Sequence, residues 1–355
     1  MSGVAIVGVG QTTYRRSHPD MSSRELIWAA SKEALDDAGL SIRDMDVVIA
    51  GVAPDALAGE ASVERSGIMG IGKPYVRVNT GGVTGSSTFF AGASYIKAGR
   101  AKAVLVFALE RMGQATTSQQ VFNTIFDPVY EKDFPLTTIT MAALRASMLM
   151  RLYGYTEHHW AQIASRSYQN ARRNPLAHLH LDVSPEDVLK SPLLAWPIHR
   201  YEACPMSEGA CAMVLVAKEA VGARKPVWVQ GYASTSDSYA MGDRIHRPEA
   251  TLVDLLSLRL SAEKAYKKAY KVGKAQDTCY LNDDGKMVYR EFVGLQDLSL
   301  IEGSLADGVE IHSRVFSHDA PESLVHTQDE LSAFGMPLTE GWQIVTEALP
   351  IHDDE

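Results

Sequence analysis

Residues 79–87 read NTGGVTGSS, a glycine-rich turn between an extended apolar segment and a run of small residues. The preceding residues 75–79 (YVRVN) predict a β-strand, and residues 85–98 predict a helix. A sharp turn from a strand into a helix places backbone N–H groups at the helix N-terminus, where the aligned peptide dipoles favour a thiolate or a developing oxyanion. The turn therefore predicts an α/β unit with a place for anionic chemistry at the start of its helix.

Apolar strands flank this turn in the sequence. Residues 4–8 (VAIVG), 46–52 (DVVIAGV) and 103–109 (AVLVFAL) are apolar runs of the kind found in buried parallel strands. Ser22 and Glu25 have capping-box spacing and predict the start of a helix between the first two strands. This alternation predicts an α/β fold with a mostly parallel, buried sheet.

The middle of the chain is more helical before it returns to strands. Ser184 is followed by a proline and two acidic residues, which is a strong signal for a helix start. The other clear patterns predict helices at residues 141–153, 156–174 and 252–270, and strands at residues 209–218 and 227–232.

A weak internal echo divides the chain into two halves. The first half has a strand, a helix ending EALDDAG and the segment DMDVVIAG. The second half has VWVQGY, a helix ending EKAYKKAY and the segment DTCYLND, in the same order. We predict an N-terminal half at residues 1–222, with an inserted helical segment at about residues 112–208, and a C-terminal half at residues 223–355. The pattern fades after about residue 284, which predicts a degenerate end of the second half.

The composition argues against several classes of protein. The formal net charge of -9 does not suit a nucleic-acid binder, which needs clustered Lys and Arg. No apolar run approaches the roughly 20 residues of a membrane-spanning helix, and the N-terminus does not have the pattern of a signal peptide. Cys204, Cys211 and Cys279 form no CxxC pair and no disulfide framework, so we expect a reducing, cytoplasmic location.

Several segments of the chain together resemble the thiolase superfamily, in the branch of sterol carrier protein X-type thiolases and lipid-transfer-protein-like members. They are VAIVGVGQTTY, NTGGVTGSS, AGASYIKAGRAKAVLVFALERMGQ, MLMRLYGYTEHHWAQIASRSYQNARRNPLA and ACPMSEGACAMVLVAKE, in this order and spacing. The resemblance implies a layered αβαβα fold built from two pseudo-repeated halves, the second shortened here, and assembly as a homodimer. It also implies an acyl-CoA substrate, no other cofactor, and a small accessory protein with an OB fold and a zinc ribbon.

The acyl-accepting cysteine of thiolases has no counterpart on the glycine turn. Thiolases carry it in a pattern similar to N-C-A-T-G-S, and the matching stretch here is GGVTGS, so Gly82 stands at the position of the cysteine. A glycine cannot form a thioester, which argues against Claisen chemistry through an acyl-enzyme. We predict that the turn still binds substrate, through Gly82, Val83, Thr84, Gly85 and Ser86.

Other nucleophiles near the expected site have ordinary structural explanations. Ser86 and Ser87 lie on the turn with no base near them in sequence, so we interpret them as residues that hydrogen-bond at the helix N-terminus. Cys204 and Cys211 flank the segment SEGA before a predicted core strand, and we interpret both as small buried residues.

The second half is expected to supply the catalytic groups. By resemblance, DTCYLND matches a polar signature of thiolases and gives Tyr280 and Asp283 as catalytic candidates, while FSHDAP is a weaker match to the histidine loop and gives His318. Structural alternatives stay open: packing for Tyr280, a turn cap for Asp283 and a surface position for His318. The second thiolase cysteine is missing, because no cysteine follows Cys279.

Three functions remain open on this sequence. The leading hypothesis is retro-aldol cleavage of a β-hydroxyacyl-CoA with a steroid or lipid side chain, which needs a base and enolate stabilisation but no nucleophile. The alternative is a non-catalytic thiolase-like subunit that binds acyl-CoA. A further alternative is thiolase or acetyl-CoA acyltransferase activity through a non-standard nucleophile. No metal site is predicted, since His178 and His180 have no Cys or Glu cluster nearby in sequence.

Overall fold

A computed structural model describes residues 3–52, 72–114, 136–236, 256–274, 278–281 and 287–290, together with residues 119, 122–123, 126–127 and 129–131. Within these ranges no helix is long and apolar enough to cross a membrane.

The strands of the described residues form one large sheet and two small hairpins. They are β1 (Val4–Gln11), β2 (Val47–Val52), β3 (Tyr75–Val78), β4 (Ala103–Arg111), β5 (Leu193–Ala195), β6 (Ile198–His199), β7 (Glu208–Ala217), β8 (Val227–Trp228), β9 (Thr278–Leu281) and β10 (Met287–Arg290). The large sheet has the order β3-β2-β4-β7-β1-β8, while β5 pairs with β6 and β9 pairs with β10.

The large sheet is mixed in direction. β2 is parallel to β3 and β4, as predicted. β7 runs antiparallel to both β4 and β1, and β1 also runs antiparallel to β8. The prediction of a mostly parallel sheet, with a parallel strand at residues 4–8, is therefore wrong for this side of the sheet. A strand buried on both faces has a continuous apolar sequence in either direction, so the pattern of β1 carried no information about direction.

Helices cover both faces of the sheet. The helices that bear on the fold are α1 (Ser23–Ala38), α2 (Thr84–Lys97), α3 (Thr138–Tyr153), α4 (Glu157–Ala171), α5 (Pro185–Lys190) and α6 (Leu256–Lys274). On one face α1 packs into a core with Leu26, Ile27 and Phe107. On the other face α2 packs into a core with Ile96 and Leu215. The described residues therefore form the layered α/β architecture that the alternating pattern predicts.

Two glycines of β1 allow α1 to approach the sheet closely. A Cβ atom on Gly8 would lie 2.1 Å from the carbonyl oxygen of Ala34, and one on Gly10 would lie 2.2 Å from the carbonyl oxygen of Ala30. Any side chain at these positions would push the helix away from the strand. The VGVG segment is thus explained by helix packing and does not form a dinucleotide-binding loop.

The predicted helix starts are confirmed at α1 and α5. The Ser22 hydroxyl accepts the backbone N–H of Glu25, whose carboxylate accepts the N–H of Ser22 at 2.7 Å. Ser184 and Asp187 form the same reciprocal pair ahead of α5. These bonds satisfy N–H groups that a helix start leaves without a partner, which is why the spacing predicts the boundary well.

The chain leaves the sheet earlier than predicted after β8. The predicted strand at residues 227–232 is limited to Val227–Trp228, because the following residues pack on α6. A Cβ atom on Gly231 would lie 2.6 Å from the carbonyl oxygen of Ala265 in that helix. The ring of Tyr232 stacks on Phe90 of α2, with ring centroids 5.0 Å apart. This segment therefore connects α6 to α2.

The region between β4 and β7 holds α3, α4, α5 and the β5–β6 hairpin. It has a small apolar core of its own around Ala161, Val183 and Val188. The proposed division of the chain into residues 1–222 and 223–355 stays a prediction.

Candidate functional site

The glycine turn lies at the edge of the sheet where β2, β3 and β4 end. A single 3-10 turn, Gly81–Val83, follows β3 and leads directly into α2. Because parallel strands end at the same edge, α2 starts in the position where open α/β sheets bind their ligands. The structure thus places the predicted substrate-binding residues at a favourable edge.

Hydrogen bonds within the turn determine its shape. The side-chain oxygen of Asn79 accepts the N–H of Gly81 at 3.1 Å. The Thr84 hydroxyl accepts the N–H of Thr80 at 3.0 Å and donates to the carbonyl oxygen of Gly81 at 2.7 Å. Gly81 has a φ of 64°, a left-handed conformation that favours glycine. The buried hydroxyl of Thr84 is therefore used to build the turn.

Gly82 faces open space. Among the residues that the structure describes, no heavy atom lies within 4 Å of a Cβ atom built on Gly82, and the φ of Gly82 lies outside the left-handed region. The neighbouring Val83 is 56% exposed. Neither packing nor backbone strain requires glycine here, so the missing side chain leaves an opening in front of α2.

The start of α2 differs from the starts of α1 and α3 at its N-cap. Val83 occupies the N-cap position and makes no side-chain hydrogen bond to the helix. By contrast, Ser22 and Thr137 accept backbone N–H groups at the starts of α1 and α3. A helix start without a side-chain cap presents N–H donors together with the positive end of the helix dipole. This geometry suits a developing negative charge on a substrate oxygen.

The position of α2 is fixed by two glycines that allow close contact with the sheet. A Cβ atom on Gly51 of β2 would lie 2.3 Å from the hydroxyl oxygen of Thr88. A Cβ atom on Gly92 of α2 would lie 2.6 Å from a methyl carbon of Val106 in β4. These contacts hold α2 close to β2 and to the middle of β4, and a binding site at the helix start needs such a rigid support.

Cys211 lies on β7 below the start of α2, where its side chain lines a narrow pocket with Gly85, Thr88 and Phe89. Burial raises the pKa of the Cys211 thiol to about 11, although hydrogen bonds with Tyr14 and the Ala108 backbone act in the opposite direction. The thiol is therefore protonated at neutral pH and is a poor nucleophile, because the thiolate is the reactive form. This agrees with its interpretation as a packing residue.

Cys204 does not follow the same prediction. Its side chain is exposed, so the interpretation as a small buried residue is wrong for this cysteine. It lies in the connection between the 3-10 turn Arg200–Glu202 and β7, outside the sheet core. The apolar residues near Cys204 in the sequence did not indicate that its side chain is buried.

A buried ion pair joins the ends of β4 and β7 at the same edge of the sheet. Arg111 Nε donates to Glu208 Oε2 at 3.1 Å, and the two side chains are 5% and 0% exposed. The guanidinium also donates to the carbonyl oxygens of His18 and Met21 at 2.9 and 3.0 Å. These bonds attach the loop after β1 to the edge that carries the glycine turn. The sequence analysis missed this pair, since its members are 97 positions apart.

His18 extends this network in a single tautomer. Its Nδ1 lies 2.9 Å from Arg15 Nε, which can only donate, so Nδ1 accepts and Nε2 donates to the carbonyl oxygen of Thr13 at 3.0 Å. Arg15 also pairs with Asp20 at 2.9 Å. The buried imidazole is thus fully used in holding the loop.

A second polar cluster lies in the helical insertion. His199 Nε2 is 3.8 Å from Glu157 Oε1, and Glu202 accepts the backbone N–H of His199. Burial is the main reason that the pKa of Glu202 is raised, with a smaller contribution from the charge of Glu157. The cluster ties β6 to the start of α4. In the part of the chain that the structure describes, no group of three His, Cys, Asp or Glu side chains suits a metal ion.

The predicted catalytic residues of the second half are only partly described. Tyr280 lies in β9 opposite Val288 of β10, and its backbone alone is described. Asp283 and His318 lie outside the described residues. Their catalytic roles stay predictions.

Comparison with known families identifies two regions of the chain. Residues 4–190 match the family described as thiolase, N-terminal domain. Residues 260–313 match a domain of unknown function, DUF4288. The second match covers Tyr280 and Asp283, so thiolase roles transferred to these two residues rest on the short sequence resemblance alone.

Curated relatives include acetyltransferases and sterol carrier proteins. The acetyl-CoA acetyltransferase of Methanocaldococcus jannaschii is 27% identical over 293 residues, which cover 80% of this chain and 73% of the relative. Sterol carrier protein 2 of Gallus gallus is 25% identical over 328 residues, which cover 86% of this chain and 58% of the relative.

Solved structures show the same fold. The Ltp2-ChsH2(DUF35) aldolase matches with a TM-score of 0.61 and 21% identity, over 76% of this chain and 70% of that chain. A monomeric SCP2-thiolase-like protein of Mycobacterium smegmatis matches with a TM-score of 0.55 and 21% identity, over 75% of this chain and 57% of that chain. At this identity the likeness establishes only the fold, and the chemistry has to be inferred from the residues of the site.

Proposed function

This chain belongs to the thiolase family through its N-terminal domain, and we propose that it cleaves a carbon–carbon bond of an acyl-CoA without forming an acyl-enzyme. The reaction is the retro-aldol cleavage of a β-hydroxyacyl-CoA. A base removes the proton of the β-hydroxyl, the bond between the α and β carbons breaks, and the electron pair passes into the thioester enolate. Protonation of the enolate gives a shorter acyl-CoA beside a carbonyl product.

The observation that carries this proposal is the uncapped start of α2 at Gly82. The reaction needs hydrogen-bond donors for the enolate oxygen and does not need a nucleophile. A helix start without a side-chain cap leaves backbone N–H donors beyond Thr84, whose own N–H donates to the carbonyl oxygen of Gly81. Gly82 removes the thiol and leaves open space in front of the helix start. The same opening would accommodate a bulky acyl group, such as a steroid or lipid side chain. We propose no cofactor beyond the CoA thioester itself.

The base is assigned from the sequence and not from the geometry of the described residues. Tyr280, Asp283 and His318 remain our candidates from sequence resemblance. The Ltp2-ChsH2(DUF35) aldolase, which shares the fold, supports the proposal of a small accessory subunit for this chain. We also propose a cytoplasmic homodimer, although one structural neighbour is described as monomeric.

The test is an assay with β-hydroxyacyl-CoA thioesters of increasing acyl size, analysed by liquid chromatography and mass spectrometry. We expect a carbonyl product together with a shorter acyl-CoA. The variant Gly82→Leu fills the open space and should lower the rate by on the order of 100-fold, the typical effect of losing an oxyanion donor. An unchanged melting temperature of this variant serves as the folding control.

A non-catalytic acyl-CoA-binding subunit is the second candidate, because Gly82 removes the first thiolase cysteine and no cysteine follows Cys279. Equilibrium dialysis with a radiolabelled acyl-CoA, together with the cleavage assay, distinguishes this binding role from the aldolase activity. Binding without turnover of any β-hydroxyacyl-CoA, with and without an accessory subunit, would establish the binding role in place of the aldolase.

Acyl transfer through a non-standard nucleophile is the third candidate. A variant with all three cysteines replaced by alanine, at Cys204, Cys211 and Cys279, tests whether any acyl transfer depends on a thiol. Activity that survives in this variant would require a nucleophile of another type.

A further inference from the structure

A serine and a histidine form a close pair beside the candidate site. The hydroxyl oxygen of Ser207 lies 2.8 Å from Nδ1 of His178, although the residues are 29 positions apart in the chain. Both side chains are half-buried. Burial, and to a smaller extent the charge of Arg16, lowers the pKa of His178. The imidazole is therefore neutral at neutral pH and can accept a proton from the serine.

The pair lies at the edge of the sheet where α2 begins. Ser207 directly precedes β7, whose first residue Glu208 is paired with Arg111 at the carboxyl end of β4. Since β4 is parallel to β2 and β2 to β3, this end of β4 is on the same edge as the glycine turn. An acyl-CoA bound along this edge would therefore pass both the start of α2 and Ser207.

Backbone hydrogen bonds hold the histidine loop in place. The N–H of Tyr14 donates to the carbonyl oxygen of Leu176 at 2.9 Å, which attaches the loop to the chain after β1. The side-chain oxygen of Asn174 accepts the N–H of Leu176 at 2.9 Å, and His180 Nε2 lies 2.8 Å from the carbonyl oxygen of Asn174. One hydrogen bond attaches the loop to the chain after β1 and two order the loop internally, so the base is pre-organised for proton transfer.

We propose that Ser207 and His178 form a nucleophile and base pair that hydrolyses acyl-CoA thioesters. Ser207 Oγ attacks the thioester carbonyl carbon while His178 Nδ1 takes the hydroxyl proton. The carbon–sulfur bond then breaks, and the departing CoA thiolate takes this proton from His178. Water cleaves the resulting ester, so the sum is acyl-CoA plus water giving a carboxylic acid plus CoA thiol.

Arg16 supplies a positive charge next to this chemistry. Its charge acts electrostatically on His178, and a cation near the pair would favour the oxyanion of the tetrahedral intermediate. The inference rests on the proposed binding of acyl-CoA, but it does not rest on carbon–carbon cleavage. It also names the non-standard nucleophile that the third candidate function requires.

A fluorophosphonate probe tests the nucleophile without any substrate. The full chain is treated with the probe, digested and mapped by mass spectrometry. We expect labelling of Ser207, no labelling of this site in Ser207→Ala, and labelling slower by on the order of 100-fold in His178→Gln. His158→Gln, which changes an exposed histidine on α4, should be labelled at the wild-type rate. Failure of Ser207 in the wild-type chain to react would overturn the proposal whether or not the variants fold.

Hydrolysis is then measured with a saturated acyl-CoA, which has no β-hydroxyl and cannot undergo retro-aldol cleavage. Free CoA thiol is detected with a disulfide reagent, and acyl-serine is trapped with hydroxylamine. CoA release that is lost in Ser207→Ala and slowed in His178→Gln supports the pair even when no β-hydroxyacyl-CoA is cleaved. The absence of CoA release, or release that is equal in all three proteins, overturns it even when carbon–carbon cleavage is present.

Discussion

Gly51 of β2 and Thr88 of α2 are in such close contact that a Cβ atom on the glycine would lie 2.3 Å from the threonine hydroxyl oxygen. The threonine is buried, and its hydroxyl donates to the carbonyl oxygen of Thr84 one turn earlier. The contact therefore determines how closely the start of α2 lies on the sheet. The proposed enolate site is this helix start, so Gly51 determines how closely the enolate site lies to the sheet.

Replacement of Gly51 by alanine should displace α2 and destabilise the protein. The added methyl group meets Thr88 and, at 3.1 Å, the methyl carbon of Thr84, so we expect a loss of about 1–3 kcal/mol in the free energy of unfolding. Urea unfolding followed by circular dichroism measures the loss. Gly82→Ala is the matched control, because its methyl group enters open space. Equal stabilities of the two variants would show that the helix is not held by this contact.

Gly82→Cys should restore the thiol that the thiolase pattern places on the turn. A Cβ atom fits at this position, and the new thiol lies at a helix start without a side-chain cap. The helix dipole favours the thiolate, so we expect a pKa below the ordinary value for cysteine. The pH dependence of iodoacetamide alkylation gives this pKa, with the exposed Cys204 of the same protein as the internal reference. A new thiol that is alkylated no faster than Cys204 at pH 7 would argue against an anion site at this turn.

Cys211 should resist alkylation in the folded protein. With a pKa raised to about 11 by burial, roughly one thiol in a thousand is ionised at pH 8. We expect Cys204 to react with iodoacetamide and Cys211 to stay unmodified until urea is added, as measured by peptide mass spectrometry. Modification of Cys211 at the rate of Cys204 in the folded state would contradict its role as a packing residue.

The fold was predictable where the signal is local. The capping pair of Ser22 and Glu25 predicts the start of α1, because both residues lie in one helical turn and satisfy each other's hydrogen bonds. The direction of β1 was not predictable, since its partner β7 lies some two hundred residues later in the chain, as with Gln11 and Cys211. Register and direction depend on such distant pairings, which a local apolar pattern does not encode.

The site was predictable only as far as its motif extends. The glycine turn identified Gly82 because the pattern is contiguous and the family carries chemistry there. His178 and Ser207 gave no joint signal, since 29 positions that include α5 and the β5–β6 hairpin separate them. The pair Arg111 and Glu208 was missed for the same reason. Side chains that are distant in the sequence and meet only in the folded protein produce no regular sequence spacing. A periodicity analysis therefore does not detect them.

Removal of one partner of the buried ion pair should be strongly destabilising. Arg111→Met leaves the carboxylate of Glu208 buried without its cation, and we expect a cost of about 3–5 kcal/mol in the free energy of unfolding. The double variant Arg111→Met with Glu208→Leu removes both charges and should recover part of this loss. Thermal and urea unfolding of the wild-type protein, the two single variants and the double variant complete the cycle. Additive losses in the double variant would show that the two side chains are not coupled.

The lowered pKa of His178 predicts a specific loss of stability on acidification. The folded protein favours the neutral imidazole because burial and the charge of Arg16 oppose protonation, whereas the unfolded chain protonates at the ordinary value of 6.5. As the pH falls below about 6.5 the unfolded state therefore binds more protons, so the stability decreases until the folded pKa is reached. Above this window the contribution is constant. We expect the melting temperature to fall more between pH 7.5 and 5.5 in the wild-type protein than in His178→Gln, which has no proton to bind at this position. The proposed reaction of Ser207 with a fluorophosphonate depends on the same neutral form, so its rate should decrease only below the folded pKa. A wild-type and variant pair with the same pH dependence of melting would contradict the environment assigned to His178.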